Sequence, residues 1–125
     1  MSRESYSMKA KELADKIFSL SKNVRYVSVV GGPNNEILES RMREGVKSLS
    51  REKDDHWFAQ AFGPVMLEGS EKLEQDLGHI ACSMTRYYKV TMGVMKIQEY
   101  VATLSVEPQM TIRDLYDQII SRLRL

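Results

Sequence analysis

The period of the apolar positions changes several times along the chain, and each change marks an element. Ala10, Leu13, Ala14, Ile17 and Leu20 recur at steps of 3, 1, 3 and 3, one face of a helix, while Lys9, Lys11, Glu12, Asp15 and Lys16 fill the other. This spacing predicts a first helix over about residues 5–21. "VRYVSVV", residues 24–30, is β-branched and aromatic with apolar groups on both faces, as in a strand inside a sheet. "GGPNNE" is a turn cluster, and "ILES" resumes a short strand. Residues 41–49 carry mixed signals, with Gly45 marking a loop or a strand end.

Ser50 is placed to cap the next helix, with Glu52, Asp54 and Asp55 near the positive end of its dipole. Trp57, Phe58, Ala61, Phe62, Val65 and Met66 then form the strongest helical stripe in the chain. Pro64 lacks an N–H and clashes with the carbonyl four residues back, so a kink or break is expected at Gly63-Pro64. A shorter helical piece follows through Leu73 and Leu77 and ends at Gly78.

Alternation with a period of two returns in "HIACSMTRY", "KVTMGVMK" and "EYVATLSVE", joined by short connections that predict antiparallel hairpins. In the last helix Thr111 and Asp114 resemble a capping box, Met110 and Leu115 a hydrophobic staple, and Ile112, Leu115, Tyr116, Ile119, Ile120 and Leu123 an apolar stripe. The predicted order is α-β-β-α-β-β-β-α, an α+β fold with a five-stranded antiparallel sheet.

Length and charge narrow the function more than they name it. The 125 residues suit one domain, 1–125, and no Pro/Gly/Ser-rich linker divides them. With 18 basic and 17 acidic side chains the net charge is +1, which gives no general pull toward nucleic acid or anionic membrane. A single cysteine, no apolar leader and no apolar run near the length of a membrane span predict an intracellular, cytoplasmic protein without membrane insertion.

Few residues suggest chemistry, and each has a plainer role. Gly31 and Gly32 follow a strand, as in phosphate-binding loops, but neither G-x-G-x-x-G nor a P-loop pattern is present and a strand follows, so they read as a hairpin turn. His79 and Cys82, three apart in a strand, fall on opposite faces, so no metal site is predicted. Cys82 shares its alternation with Ile80 and Met84 and reads as a small core residue. The eight methionines read chiefly as core filling. The run "RMREGVKSLSREKDD" has five basic and four acidic residues, too mixed for a nucleic-acid footprint. The carboxylate pairs Asp54-Asp55 and Glu71-Glu74 read as solvated helix faces. Trp57, Phe58 and Phe62 read first as a core stripe, while a Trp at the edge of such a stripe can instead anchor a partner.

The element order is similar to that of the roadblock/LC7 and longin-related superfamily, within the broader profilin-like group. "RYVSVVGGPNNEILESRMREGVKSLSREKDD", with its segment Met42, Arg43, Glu44 and Gly45, and the strand ending "SVEP" before the last helix also resemble a small archaeal family. The resemblance covers roughly residues 10–124, and the Gly63-Pro64 interruption departs from a plain roadblock crossover. It implies a non-enzymatic domain without cofactor that dimerises by joining sheet edges and pairing the crossover helix. Many such domains regulate or scaffold small GTPases. By position, the joined edge would be His79, Ala81, Ser83 and Thr85, and the paired helix would present Trp57 and Phe58. "HIACSMT" holds no Lys, Glu or Asp, so this edge lacks the charges that block pairing. The alternative is a PAS-like or profilin-like small-molecule sensor, which needs a cavity between sheet and long helix lined by Met and aromatic residues.

Overall fold

The computed structural model describes residues 3–62 and 71–123. The elements in chain order are α1 (Arg3–Leu20), β1 (Val24–Gly31), β2 (Glu36–Met42), α2 (Glu52–Trp57) and a π-helical turn (Phe58–Phe62) that continues it. Then come α3 (Glu71–Leu77), β3 (Cys82–Arg86), β4 (Thr91–Ile97), β5 (Tyr100–Val106) and α4 (Ile112–Leu123). The strands form one antiparallel sheet in the order β2-β1-β5-β4-β3, the α+β architecture predicted from periodicity. β5 lies at its centre with β1 beside it, because their side chains are apolar or small on both faces, and both strands are buried along most of their length.

One face carries the core. Val27 and Val29 of β1, Ala102, Leu104 and Val106 of β5 and Met95 and Ile97 of β4 meet Ala10, Leu13, Ala14 and Ile17 of α1 and Ile112, Leu115 and Ile119 of α4. Burying each large aliphatic side chain stabilises by about 1.5–3 kcal/mol, so this cluster dominates folding. α1 covers the β1–β2 side and α4 the β3–β4 side. α4 comes so close that a Cβ on Gly93 would stand 2.4 Å from Ile112 Cγ1. Glycine is needed there for space rather than for backbone freedom.

Local signals behave as their chemistry requires. The Asp114 N–H donates to Thr111 Oγ1 at 3.2 Å, which caps α4. Gly78 adopts φ 83° just after α3, and its N–H donates to the Glu74 carbonyl at 2.9 Å. Residues 32–35 turn between β1 and β2, with the Asn35 N–H donating to the Gly32 carbonyl at 3.3 Å. The two glycines of the opening strand therefore end a strand and make a hairpin.

Three expectations change. The cap of α2 is Arg51, not Ser50, and its side chain makes no cap bond; Ser50 instead bonds the Asp55 carboxylate. The strand expected from His79 begins at Cys82, which leaves His79 and Ala81 exposed ahead of it. The stripe opening at Trp57 is not a core stripe at its start. Trp57 is 59% exposed, Phe58 is half-buried, and the buried position is Ala59. A π turn adds a residue to each turn and so rotates the face a helical stripe presents. Gly63-Pro64, Val65 and Met66 lie outside the described residues.

Candidate functional site

The other face of the sheet differs in composition. Ser28 and Thr103 are paired across β1 and β5, and both are fully buried. Tyr26 stands opposite Ser105, and its hydroxyl shares a 2.7 Å hydrogen bond with Ser40 of β2. Burial pushes the Tyr26 phenol above its ordinary pKa, and the hydrogen bond to Ser40 pulls the other way. Over this face lie α2 and the π turn. They are held by Ala59 and by Gln60 Nε2, which donates to the Asn35 carbonyl at 3.3 Å.

Between α2 and the turn from β3 to β4 the face opens into a groove of about 610 Å³. Its lining is mainly apolar and aromatic, with Leu49, Trp57, Phe58, Tyr87, Tyr88, Val90 and Met92; Asp54, Asp55 and Lys89 stand among them. Tyr88 is 101% exposed, at the tip of the hairpin. Exposed aromatic groups of this density are what interfaces use as anchors. Beneath the groove a recess of about 40 Å³ reaches Tyr26 and Ser105, room for water but not for an enclosed ligand.

β3 forms one edge of the sheet and β2 the other. β2 is guarded by Glu36, Glu39 and Arg41 and by an irregularity in its register between Val29 and Val30 of β1. β3 holds one charge, Arg86, at its end. Ser83 and Thr85 are half-buried and pair with Val94 and Met92, so they share the groove's face. Met92 joins Thr85 to the groove lining.

The six residues proposed from sequence therefore separate. Trp57 and Phe58 line the groove, and Thr85 and Ser83 adjoin it along β3. Ala81 and His79 lie beyond the opposite end of the strand, about 20 Å of extended chain from Tyr87 to Ala81. The exposed His79 ring lies 3.4 Å from the Glu74 carboxylate. Tyr87 and Tyr88 were missed by sequence reading. Their signal was two adjacent aromatic residues in a turn, where neither can face a core. No group of three or more His, Cys, Asp or Glu side chains able to hold a metal occurs among the described residues.

Cys82 is half-buried against the core beside α4, and burial raises its thiol pKa, with Asp117 adding to the shift. A protonated, partly covered thiol is a poor nucleophile. Of the methionines, Met95 fills the core while Met8 and Met84 are exposed and Met92 lines the groove, so core filling explains only part of their number.

The basic run has a structural use. Arg43 donates to the carbonyls of Phe18 (2.7 Å), Ser21 (2.6 Å) and Val24 (2.7 Å), and stacks over the Phe18 ring at 5.2 Å. It closes the C-terminus of α1, whose last turn contains no basic residue of its own. Arg25 pairs with Glu107 at 2.8 Å and Arg41 with Asp15.

No protein-family model matches the chain, and no curated protein sequence matches it. Solved structures do. The gliding protein MglB from Thermus thermophilus superposes with a TM-score of 0.62 at 9% identity, over 91% of this chain and 84% of that one. Myxococcus xanthus MglB superposes with a TM-score of 0.60 at 10% identity, over 94% of this chain and 90% of that one. At such identities the likeness is one of fold. It agrees with the roadblock-like architecture predicted from element order.

Proposed function

We propose that this chain is a non-enzymatic, cytoplasmic, homodimeric protein-interaction module of the roadblock-like type. It forms a single domain over residues 1–125 and regulates or scaffolds a small GTPase. The observation that carries this reading is the juxtaposition of a sheet edge, β3, charged only at its Arg86 end, and an aromatic groove on the same face. An open strand edge recruits a strand, and exposed aromatic anchors recruit a protein surface. The MglB likeness supports the architecture that such modules share. No cofactor is required.

Light scattering of the untagged 14.4 kDa chain across a dilution series tests the self-association. A stable dimer is expected, and Ser83→Asp, which places a carboxylate on the edge strand, should weaken it. A monomer at every concentration, or a Ser83→Asp dimer as stable as the parent, would count against the edge interface. Pull-down with purified small GTPases in the GDP- and GTP-bound states tests the partner.

The second reading, a PAS-like or profilin-like small-molecule sensor, rests on the volume of the groove, which lies in the range of ligand sites. The groove is open, and the recess under it is too small to enclose a ligand. A monomeric chain whose melting temperature rises with a small aromatic ligand would favour it.

A further inference from the structure

How two β3 edges meet is set by the direction of their backbone groups. In an antiparallel ladder alternate residues exchange N–H···O bonds with the neighbouring strand, and the residues between them turn theirs the other way. The Lys96 N–H donates to the Ala81 carbonyl at 3.1 Å, and the Tyr87 N–H donates to the Val90 carbonyl at 2.9 Å. Between these two, Ser83 pairs with Val94 and Thr85 with Met92. The odd-numbered residues of β3 therefore spend their backbone groups on β4. Those of Cys82, Met84 and Arg86 turn toward the open side, where the sheet has no further strand among the described residues.

We propose that a second copy of this chain pairs antiparallel with β3 in one defined register. Met84 lies opposite the partner's Met84 on the two-fold axis, and Cys82 lies opposite the partner's Arg86. The inference rests on the homodimer reading and adds the geometry of the joint. Within β3 this register alone engages all three outward residues, with two hydrogen bonds for each facing pair. Centring the axis on Ser83 or Thr85 leaves one outward residue of each strand unpaired. Centring it on Arg86 sets two guanidinium groups face to face, which is destabilising. The Met84 side chain is 53% exposed, and in this arrangement it is covered by its own symmetry mate. Its flexible thioether suits a self-contact on an axis. On the groove's face Ser83 then lies opposite the partner's Thr85, two small hydroxyl side chains that pair well across strands. β2 offers no equivalent joint, because Glu36, Glu39 and Arg41 occupy it and its register is broken.

Disulfide trapping in a Cys82→Ser background tests the register. Chains carrying Ser83→Cys, Met84→Cys or Thr85→Cys are oxidised mildly at a concentration where light scattering shows a dimer. Facing Cα atoms in a hydrogen-bonded pair are about 5.5 Å apart and in a non-bonded pair about 4.5 Å, both within disulfide reach. Two copies of residue 83, or of residue 85, would be about 8 Å apart, beyond that reach. Met84→Cys should cross-link alone. An equimolar mixture of Ser83→Cys and Thr85→Cys chains should cross-link as a heterodimer, while neither does so alone. The mixture keeps the test valid if Met84→Cys folds poorly. Cross-linking of Ser83→Cys or Thr85→Cys alone would overturn this register and leave the edge dimer standing. A dimer in solution that none of these cysteines can trap would overturn the edge joint itself. A chain that is monomeric throughout would remove the homodimer reading and the register together.

Discussion

Across the middle of the sheet, Val27, Leu104 and Gly93 form one row on the α1/α4 face, and Ser28, Thr103 and Val94 form the next row on the α2 face. The first row is closed by α1 and α4 with aliphatic side chains at full burial. The second, with two of its three residues polar, lies under a six-residue helix in which no residue is buried, followed by a π turn. Hydrophobic area explains why the first face folds. The second contributes less to folding, and it leaves Trp57, Tyr87 and Tyr88 in solvent. The buried apolar core and the exposed aromatic groove are thus divided between the two sides of the same strands. This is possible because successive residues of a strand point to opposite faces.

Truncation in the closed face should have the largest effect on folding. Leu104→Ala removes a fully buried side chain from the centre of the core, and a loss of about 2–5 kcal/mol is expected in urea denaturation. A loss below about 1 kcal/mol would mean that the two faces do not differ as described.

Arg43→Ala comes next, at about 2 kcal/mol, because three carbonyls lose a charged donor and α1 loses the group that closes its end. Arg43→Lys should recover little of this, since an ammonium cannot span three carbonyls and stack on Phe18. Full recovery by Lys in thermal melts would show that charge alone suffices.

Tyr26→Phe, on the polar face, should cost about 1 kcal/mol through the lost Ser40 bond. Its dependence on pH has a definite sign. The folded phenol has a pKa above its ordinary 10.0, so the unfolded chain loses this proton first. The Tyr26 contribution is complete below that pH and is lost as pH rises toward the folded pKa. The stability gap between parent and variant should therefore narrow in alkaline denaturation series. A gap that widens would place the phenol in an environment that favours its anion.

Trp57→Ala should change folding by no more than about 0.5 kcal/mol, as expected of a largely exposed side chain. It should weaken self-association or partner binding by about 2 kcal/mol, the scale of an interface anchor. A large folding loss with unchanged association would return Trp57 to the core and erase the contrast between the faces.

Much of this division was legible in the sequence. The steps from Ala10 to Leu20 and from Ile112 to Leu123 each name one buried face, and both helices form as predicted, because a wide apolar stripe has one way to leave water. The alternation of the last three strands fixed their pairing for the same reason. The role of Arg43 was not legible. Its partners are carbonyls of residues 19 to 25 positions earlier, and nothing in "RMREG" distinguishes a helix-closing arginine from a solvated one.

The aromatic residues show where sequence reasoning stops. Trp57 and Phe58 open a stripe with the period of a core helix, and the apolar pattern was the same whether they faced inward or outward. The chain itself determined the five strands, the order of strands and main helices and most of the apolar core, since these follow from local period and from the need to bury apolar area. Only the tertiary structure decided where the edge strand began, which way its backbone groups turned, and that Trp57 stood with Tyr87 and Tyr88 around one groove. Those properties depend on strand order and on the rotation of one short helix. Both are set by contacts between residues far apart in the chain, and no local period encodes them.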